Sequence, residues 1–382
     1  MPFQQAAELL GDMLGLQVSK AQMVRCTEAA GEAYVNLQNK QADRIEREAP
    51  PALPGSEKLV MSADGAMVPL RKGEWAEVKT LAIGEVQPAV KRQDEWIVRT
   101  RRLSYFSRLV DAEQFEHLTL VEMHRRGVEK SRQVAAVMDG ADWLQSFVTY
   151  HRPDAVRILD FAHAGQRIGQ VGQALFGEGT PEASQWIGER LHRLKHEGPQ
   201  EILAELRQLQ QPHPSLEILA ENLAYLEKRE AQMRYPQFQE QGWPIGSGMV
   251  ESGNKLVVEA RLKGAGMHWE RGNVNAMLGL RNIVCSDRWS QEWPQIVAQL
   301  CWQARERRKL QREIRQRAKA ANQSKPQEIP SSVETYELSV EPPEVPPQKP
   351  KSRGQTKPAA NHPWRHSPIG QARYEPSKIA RN

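Results

Sequence analysis

Apolar residues recur at spacings of three and four over the first fifty positions. Phe3, Ala7, Leu10 and Met13 share one stripe, which predicts a helix. Gly15 breaks the stripe, and Ser19 is placed to cap a second helix running through Met23, Cys26, Ala29 and Ala30. The pair reads either as a helix-turn-helix, whose second helix enters a major groove, or as a plain hairpin packed on the next domain. Pro50-Pro51-Ala52-Leu53-Pro54-Gly55 closes this segment. From Lys58 the period becomes two. Strands are predicted in LVMSADGAMVPL (59–70), EWAEVKTLAIGEV (74–86) and LSYFSRLVDA (103–112), with a polar, basic stretch over 91–102. An amphipathic helix follows over 112–127. Then come a short apolar strand in QVAAVMDGADW (133–143), a short helix in LQSFVTYHRP, and a second buried-type strand in AVRILDFAHA (155–164).

Three neighbouring strands followed by helix-linked apolar strands describe a mixed sheet in an α/β layer fold. Residues 165–241 return to helical spacing through Trp186, Ile187, Leu191 and Leu194, then Ile202, Leu203, Leu206 and Leu209, as an all-helical insertion. WPIGSGMVES (243–252) leads into a helix reaching about Lys263. A further helix starts near Asn273, and a basic helix spans 293–321. The expected organisation is a helical segment over 1–50, the first part of the sheet domain over 56–164, and the insertion over 165–241. The final helices occupy 242–322, and a disordered tail covers 323–382. Eleven of the 25 prolines lie between 326 and 382, a composition that cannot bury a core.

Composition narrows the class. No apolar run approaches the roughly 20 residues of a membrane span, and the first residues lack the basic and apolar regions of a signal peptide. Three widely spaced cysteines, Cys26, Cys285 and Cys301, argue against a zinc ribbon and a disulfide scaffold. The reading is a soluble protein of a reducing compartment. The net charge of +5 is unevenly spread: residues 301–322 carry +6, residues 351–382 carry +6, and the remainder −7. Basic elements beside an acidic body point to a polyanionic partner; a solvated helix end is the plainer reading of 301–322.

Three carboxylates stand out by position. Asp64 lies midway along the first strand, Asp139 ends the fourth, and Glu251 opens the helix after GSGMV. An ionised acid on an apolar strand is costly unless paired or bound to a metal. Three oxygen donors brought to one sheet edge suit Mg²⁺. Two such ions would support attack on a phosphodiester.

The segments SADG, VMDGADW, ILDFAHA and PIGSGMVESGNKLVVEARLKGAGMHW, with NHPWR at 361–365, resemble DDE transposases of bacterial insertion sequences, close to the ISKra-type group. The resemblance covers essentially the whole chain and is most specific in GSGMVES…RLKGAGMHW. It implies a ribonuclease-H-like catalytic domain in which Asp64 is the first acid, Glu251 the last and Asp139 the second. Asp160 is the alternative second acid, or with His163 a supporting pair. It further implies Mg²⁺ (or Mn²⁺), double-stranded DNA as element terminal repeats and target, a homo-oligomer on that DNA, no membrane, and a cytoplasmic, nucleoid-associated setting. Lys255, Arg261 and Lys263 on the last helix, and Arg99, Arg101 and Arg102, are candidate contacts to the DNA backbone. Ser247 is placed to cap that helix and Gly246 and Gly248 to turn into it, while His268 and Trp269 either stack on a base or pack. Members of the group often carry more sequence upstream, so a truncated, catalytically unproductive DNA-binding relic is the alternative. A ribonuclease or resolvase on the same fold would share the acids but not GSGMVES or NHPWR.

Overall fold

The two longest period-two runs form the antiparallel pair at the heart of the sheet. β1 (Lys58–Pro69) and β2 (Trp75–Val86) are in register from Leu59 opposite Glu85 to Pro69 opposite Trp75. In the computed structural model, which describes residues 2–92 and 95–323, the sheet has the order β5-β2-β1-β6-β7. β5 (Thr100–Arg108) is antiparallel to β2, whereas β6 (Gln133–Met138) and β7 (Val156–Leu159) run parallel to β1 and to each other. A small separate ribbon of β3 (Val90–Arg92) and β4 (Glu95–Ile97) occupies part of the stretch read as merely polar. The tail expected over 323–382 lies outside the described residues except for its first residue, and NHPWR lies wholly outside them.

Alternation along β1 assigns its residues to two faces. Leu59, Met61 and Ala63 meet α3 (Ala112–Arg125) and α4 (Asp142–His151), where Phe115, Met123, Leu144 and Phe147 are buried. The opposite face carries Val60, Ser62, Asp64, Ala66 and Val68 and is covered by two different groups of helices. Val60 packs with α5 (Phe161–Phe176), α6 (Pro181–His196), α7 (Gln200–Gln210), α8 (Glu217–Glu227) and α9 (Tyr235–Glu240). Thus Leu203, Leu206 and Leu226 of the helical block share one core with Ala135, Val137 and Ile158 of the sheet. Ala66 and Val68 pack instead with α10 (Gly248–Gly253), a π-helical turn (Asn254–Glu259), α11 (Ala260–Leu262) and α12 (Arg271–Cys285), through Val250, Val257, Leu262 and Val274. Asp64 therefore sits on the seam between two apolar cores.

One expected strand is shorter than its apolar composition suggests. β7 ends at Leu159, and DFAHA opens α5 instead. Asp160 is the cause: its carboxylate accepts from the N–H groups of Ala162 (2.6 Å) and His163 (3.2 Å), satisfying orphan donors of the first helical turn.

At the N-terminus, α1 (Phe3–Leu14) ends at Gly15, and Ser19 Oγ accepts from the Gln22 N–H at 3.2 Å to cap α2 (Lys20–Glu48). α2 is one 29-residue helix rather than a short recognition element. Ala30, Ala33 and Tyr34 bury its middle with Ile283 and Ile296. The last described helix, α13 (Trp289–Gln323), is exposed from Arg305 to Ala318. Residues Met1–Lys319 form one compact unit; of the second, Ala320–Asn382, only the end of α13 is described. Among the described residues no helix is long and apolar enough to cross a membrane.

Candidate functional site

Strand register brings the sequence-selected acids to one level. The offset of 75 residues that pairs Lys58 with Gln133 also relates Asp64 to Asp139. The offset of 21 that pairs Ala135 with Val156 relates Asp139 to Asp160, whose N–H donates to the Met138 carbonyl at 2.8 Å. Extended past the last paired residues, the register thus relates Asp64 on β1 to Asp139 and Asp160, the residues just after β6 and β7.

Their surroundings differ. Asp64 is half-buried and accepts from the Gly65 N–H at 2.7 Å and from Asn254 Nδ2 at 2.9 Å. Burial raises its pKa, and the negative charge of Asp139 pushes in the same direction. The Gly65 N–H, the nearby His163 and the Asn254 amide oppose that rise without cancelling it.

Asp139, also half-buried, accepts from the Ala141 N–H at 2.8 Å. The loop that carries it is held from the helical block. Tyr225 Oη donates to the Asp139 carbonyl, while Arg229 Nε (2.8 Å) and Nη2 donate to the Gly140 carbonyl. Gly140 has φ of +81°, and a Cβ there would lie 2.5 Å from Arg229 Nε, so the loop needs glycine. Nothing in the local sequence around Tyr225 or Arg229 signals this role. Only the contacts of Tyr225 on α8 and Arg229 just after it with the loop following β6 reveal it.

Asp160 is 1% exposed, and both its oxygens are occupied. One caps α5, and the other accepts from the Ser247 N–H at 2.5 Å, tying the start of α5 to the turn before Glu251. Ser247 thus contributes its backbone, and its side chain makes no capping hydrogen bond. Gly246 and Gly248 have neither positive φ nor a close neighbour that would exclude a side chain.

Glu251 is exposed on α10, three residues before the buried Asn254. Among the described residues no three His, Cys, Asp or Glu side chains are grouped closely enough to hold one metal ion together. The structure therefore unites Asp64 with Asp139 and attaches the Glu251 helix to them through Asn254, with Glu251 itself outside the group. The donor chemistry fits a hard divalent cation: two carboxylates whose charges interact, and Asn254, which donates to Asp64 and whose own Oδ1 is buried with no hydrogen-bond partner.

The basic candidates are scattered. Lys255 is exposed on the π-helical turn, and Lys263 pairs with Glu259 at 2.8 Å. Arg261 is half-buried between the rings of Phe3 (4.7 Å) and Trp269 (5.0 Å), and burial lowers its pKa, so its guanidinium packs rather than projects. Trp269 is likewise engaged, its indole N–H donating to the Leu262 carbonyl at 3.2 Å, whereas His268 is exposed. Arg101 and Arg102 flank Glu85 at 3.4 and 3.1 Å, and Arg99 is exposed nearby in sequence. Glu85 lies five residues along β2 from Thr80, the partner of Asp64, or about 17 Å of strand. This cluster is thus not brought to the acids.

No protein-family model matches the chain, and no curated protein matches it in sequence.

Proposed function

We propose that the chain is a metal-dependent DDE transposase with a ribonuclease-H-like catalytic domain of the ISKra type. It would cleave element ends and join the freed 3′-hydroxyl to target DNA. The observation that carries this reading is that Asp139, just after β6, lies near enough to Asp64 on β1 for its charge to raise the Asp64 pKa, with Asn254 linking Asp64 to the helix of Glu251. Bound Mg²⁺ (or Mn²⁺) would supply an activated water and neutralise charge on the phosphoryl group. Asp64 and Asp139 present carboxylates at the seam of the two cores, and Glu251 offers a third from an exposed turn. Tyr225 and Arg229 hold the Asp139 loop, and Asp160 fixes α5 to the turn before Glu251. Lys255, exposed one turn beyond Glu251, is free to meet a phosphate. The working form is a homo-oligomer on paired DNA ends in the bacterial cytoplasm, at the nucleoid.

Strand cleavage by purified protein on its element's end DNA with Mg²⁺ tests this. Metal-dependent nicking is expected in the wild type and lost in Glu251→Gln and Asp139→Ala, with DNA binding retained. One observation favours the second reading, a DNA-binding relic: among the described residues no three His, Cys, Asp or Glu side chains are grouped to hold a metal ion. DNA binding without nicking in the wild type would establish it.

A further inference from the structure

We propose that Asn254 is a positioning residue of the acid site. It fixes the Asp64 carboxylate against the helix that bears Glu251, and its own amide oxygen accepts from water held with a divalent cation. This rests on the metal-dependent reading above. Asn254 is 6% exposed; its Nδ2 donates to Asp64 Oδ2 at 2.9 Å, while its Oδ1 is buried without a partner. A buried amide oxygen lacking a donor costs stability, and the neighbouring inward positions Val250, Val257 and Val258 show that an apolar side chain suits this face. The fold thus retains a polar group whose hydrogen bonding is half complete.

The backbone around it is equally specialised. Asn254 opens a π-helical turn, a rare widening that recurs at functional sites. The Leu256 carbonyl within that turn accepts from Arg281 Nη2 and, at 3.9 Å, from Cys285 Sγ. Just before it, Gly253 lies against the sheet so closely that a Cβ would come within 2.8 Å of the Tyr105 ring and 3.8 Å of Thr80 Cγ2. Thr80 is the β2 partner of Asp64. The helix is therefore pressed onto the sheet at the level of the acid, and Asn254 makes the side-chain link there. Glu251 lies three residues earlier on the same helical segment, so that link ties the segment bearing Glu251 to Asp64.

Mn²⁺ binding to the full-length protein, followed by the electron paramagnetic resonance of free Mn²⁺, tests the role without DNA or turnover. Asn254→Leu keeps the branching of the side chain and removes both amide groups. It should weaken Mn²⁺ binding by about 10- to 100-fold while the melting temperature holds or rises; Asn254→Ala provides the same readout if leucine disturbs the helix. Wild-type affinity in these variants, alongside weakened binding in Asp139→Asn, overturns the role of Asn254 alone. Wild-type Mn²⁺ binding that is indifferent to Asp139→Asn overturns the metal site itself, and this inference with it.

Discussion

Two aspartates with one strand between them, Asp64 on β1 and Asp160 at the end of β7, face opposite energetic situations. The Asp64 pKa is raised above its unfolded value, chiefly by burial and further by Asp139. Its ionisation therefore opposes folding: the penalty is absent below the carboxylate range and grows as pH rises through it. With the Asn254 amide turned so that its unpartnered Oδ1 accepts from the new side-chain N–H, Asp64→Asn should raise the melting temperature at neutral pH, at roughly 2–4 °C per kcal/mol for a domain of some 150–250 residues. The gain should vanish near pH 3. A flat difference across that range would show that the charge is not the cause. Asp160 is the reverse case, since its two oxygens satisfy the N–H groups of Ala162, His163 and Ser247. Asp160→Asn turns one acceptor into a donor facing an amide and should cost about 1–3 kcal/mol. Thermal unfolding of both variants separates the acid that the fold tolerates from the acid that it needs.

Among the elements, the α3–α4 contact carries its own pH dependence. His151, at the end of α4, meets Thr119 Oγ1 of α3 at 2.9 Å and lies 4.6 Å from the Phe147 ring. Burial pushes its pKa down to about 3, although a hydrogen bond to the Glu116 carbonyl opposes this. The folded protein keeps the ring neutral while the unfolded chain takes up a proton. Stability should thus be intact above about pH 6.5 and fall by about 1.4 kcal/mol per pH unit toward pH 3. Urea unfolding between pH 7 and 5 should show that slope, reduced by one proton in His151→Phe; an unchanged slope would place the titration elsewhere. Such contacts explain what was legible in the sequence. The long strands β1 and β2 announce themselves by alternation, and the helices by spacing, because each buries one face. DFAHA looked like strand since its apolar residues do not reveal that Asp160 caps a helix. The β3–β4 ribbon falls in a polar stretch, where hydrophobic alternation has little to mark it. Asp64 was visible as an acid on an apolar run. Asn254, Tyr225 and Arg229 were not, since their roles depend on which helix lands on which strand.

At the scale of the molecule, the acids and the strongest described basic surface lie on different elements. The aspartates lie on the sheet or just after its strands, and α13 extends beyond it with Arg305, Arg307, Arg308 and Arg312 all exposed. Charges so exposed contribute little to folding, so their value would lie in long-range attraction to a polyanion. For duplex DNA, each phosphate neutralised contributes about −0.9 to the slope of log K against log salt concentration. Replacing these four arginines with glutamine should therefore flatten the slope by up to about 3–4 and weaken binding similarly across sequences. The melting temperature should shift by no more than about 1–2 °C per replacement, since surface changes of this kind rarely exceed ±0.5 kcal/mol each. Titrations of the full-length protein against element-end and unrelated duplexes at several salt concentrations provide the check. An unchanged slope would remove α13 from the DNA interface and leave Lys255 and the Arg99–Arg102 cluster as the described candidates. A flattened slope with Mg²⁺-dependent nicking reduced only at high salt would mean that α13 holds the DNA while the acid site acts on it.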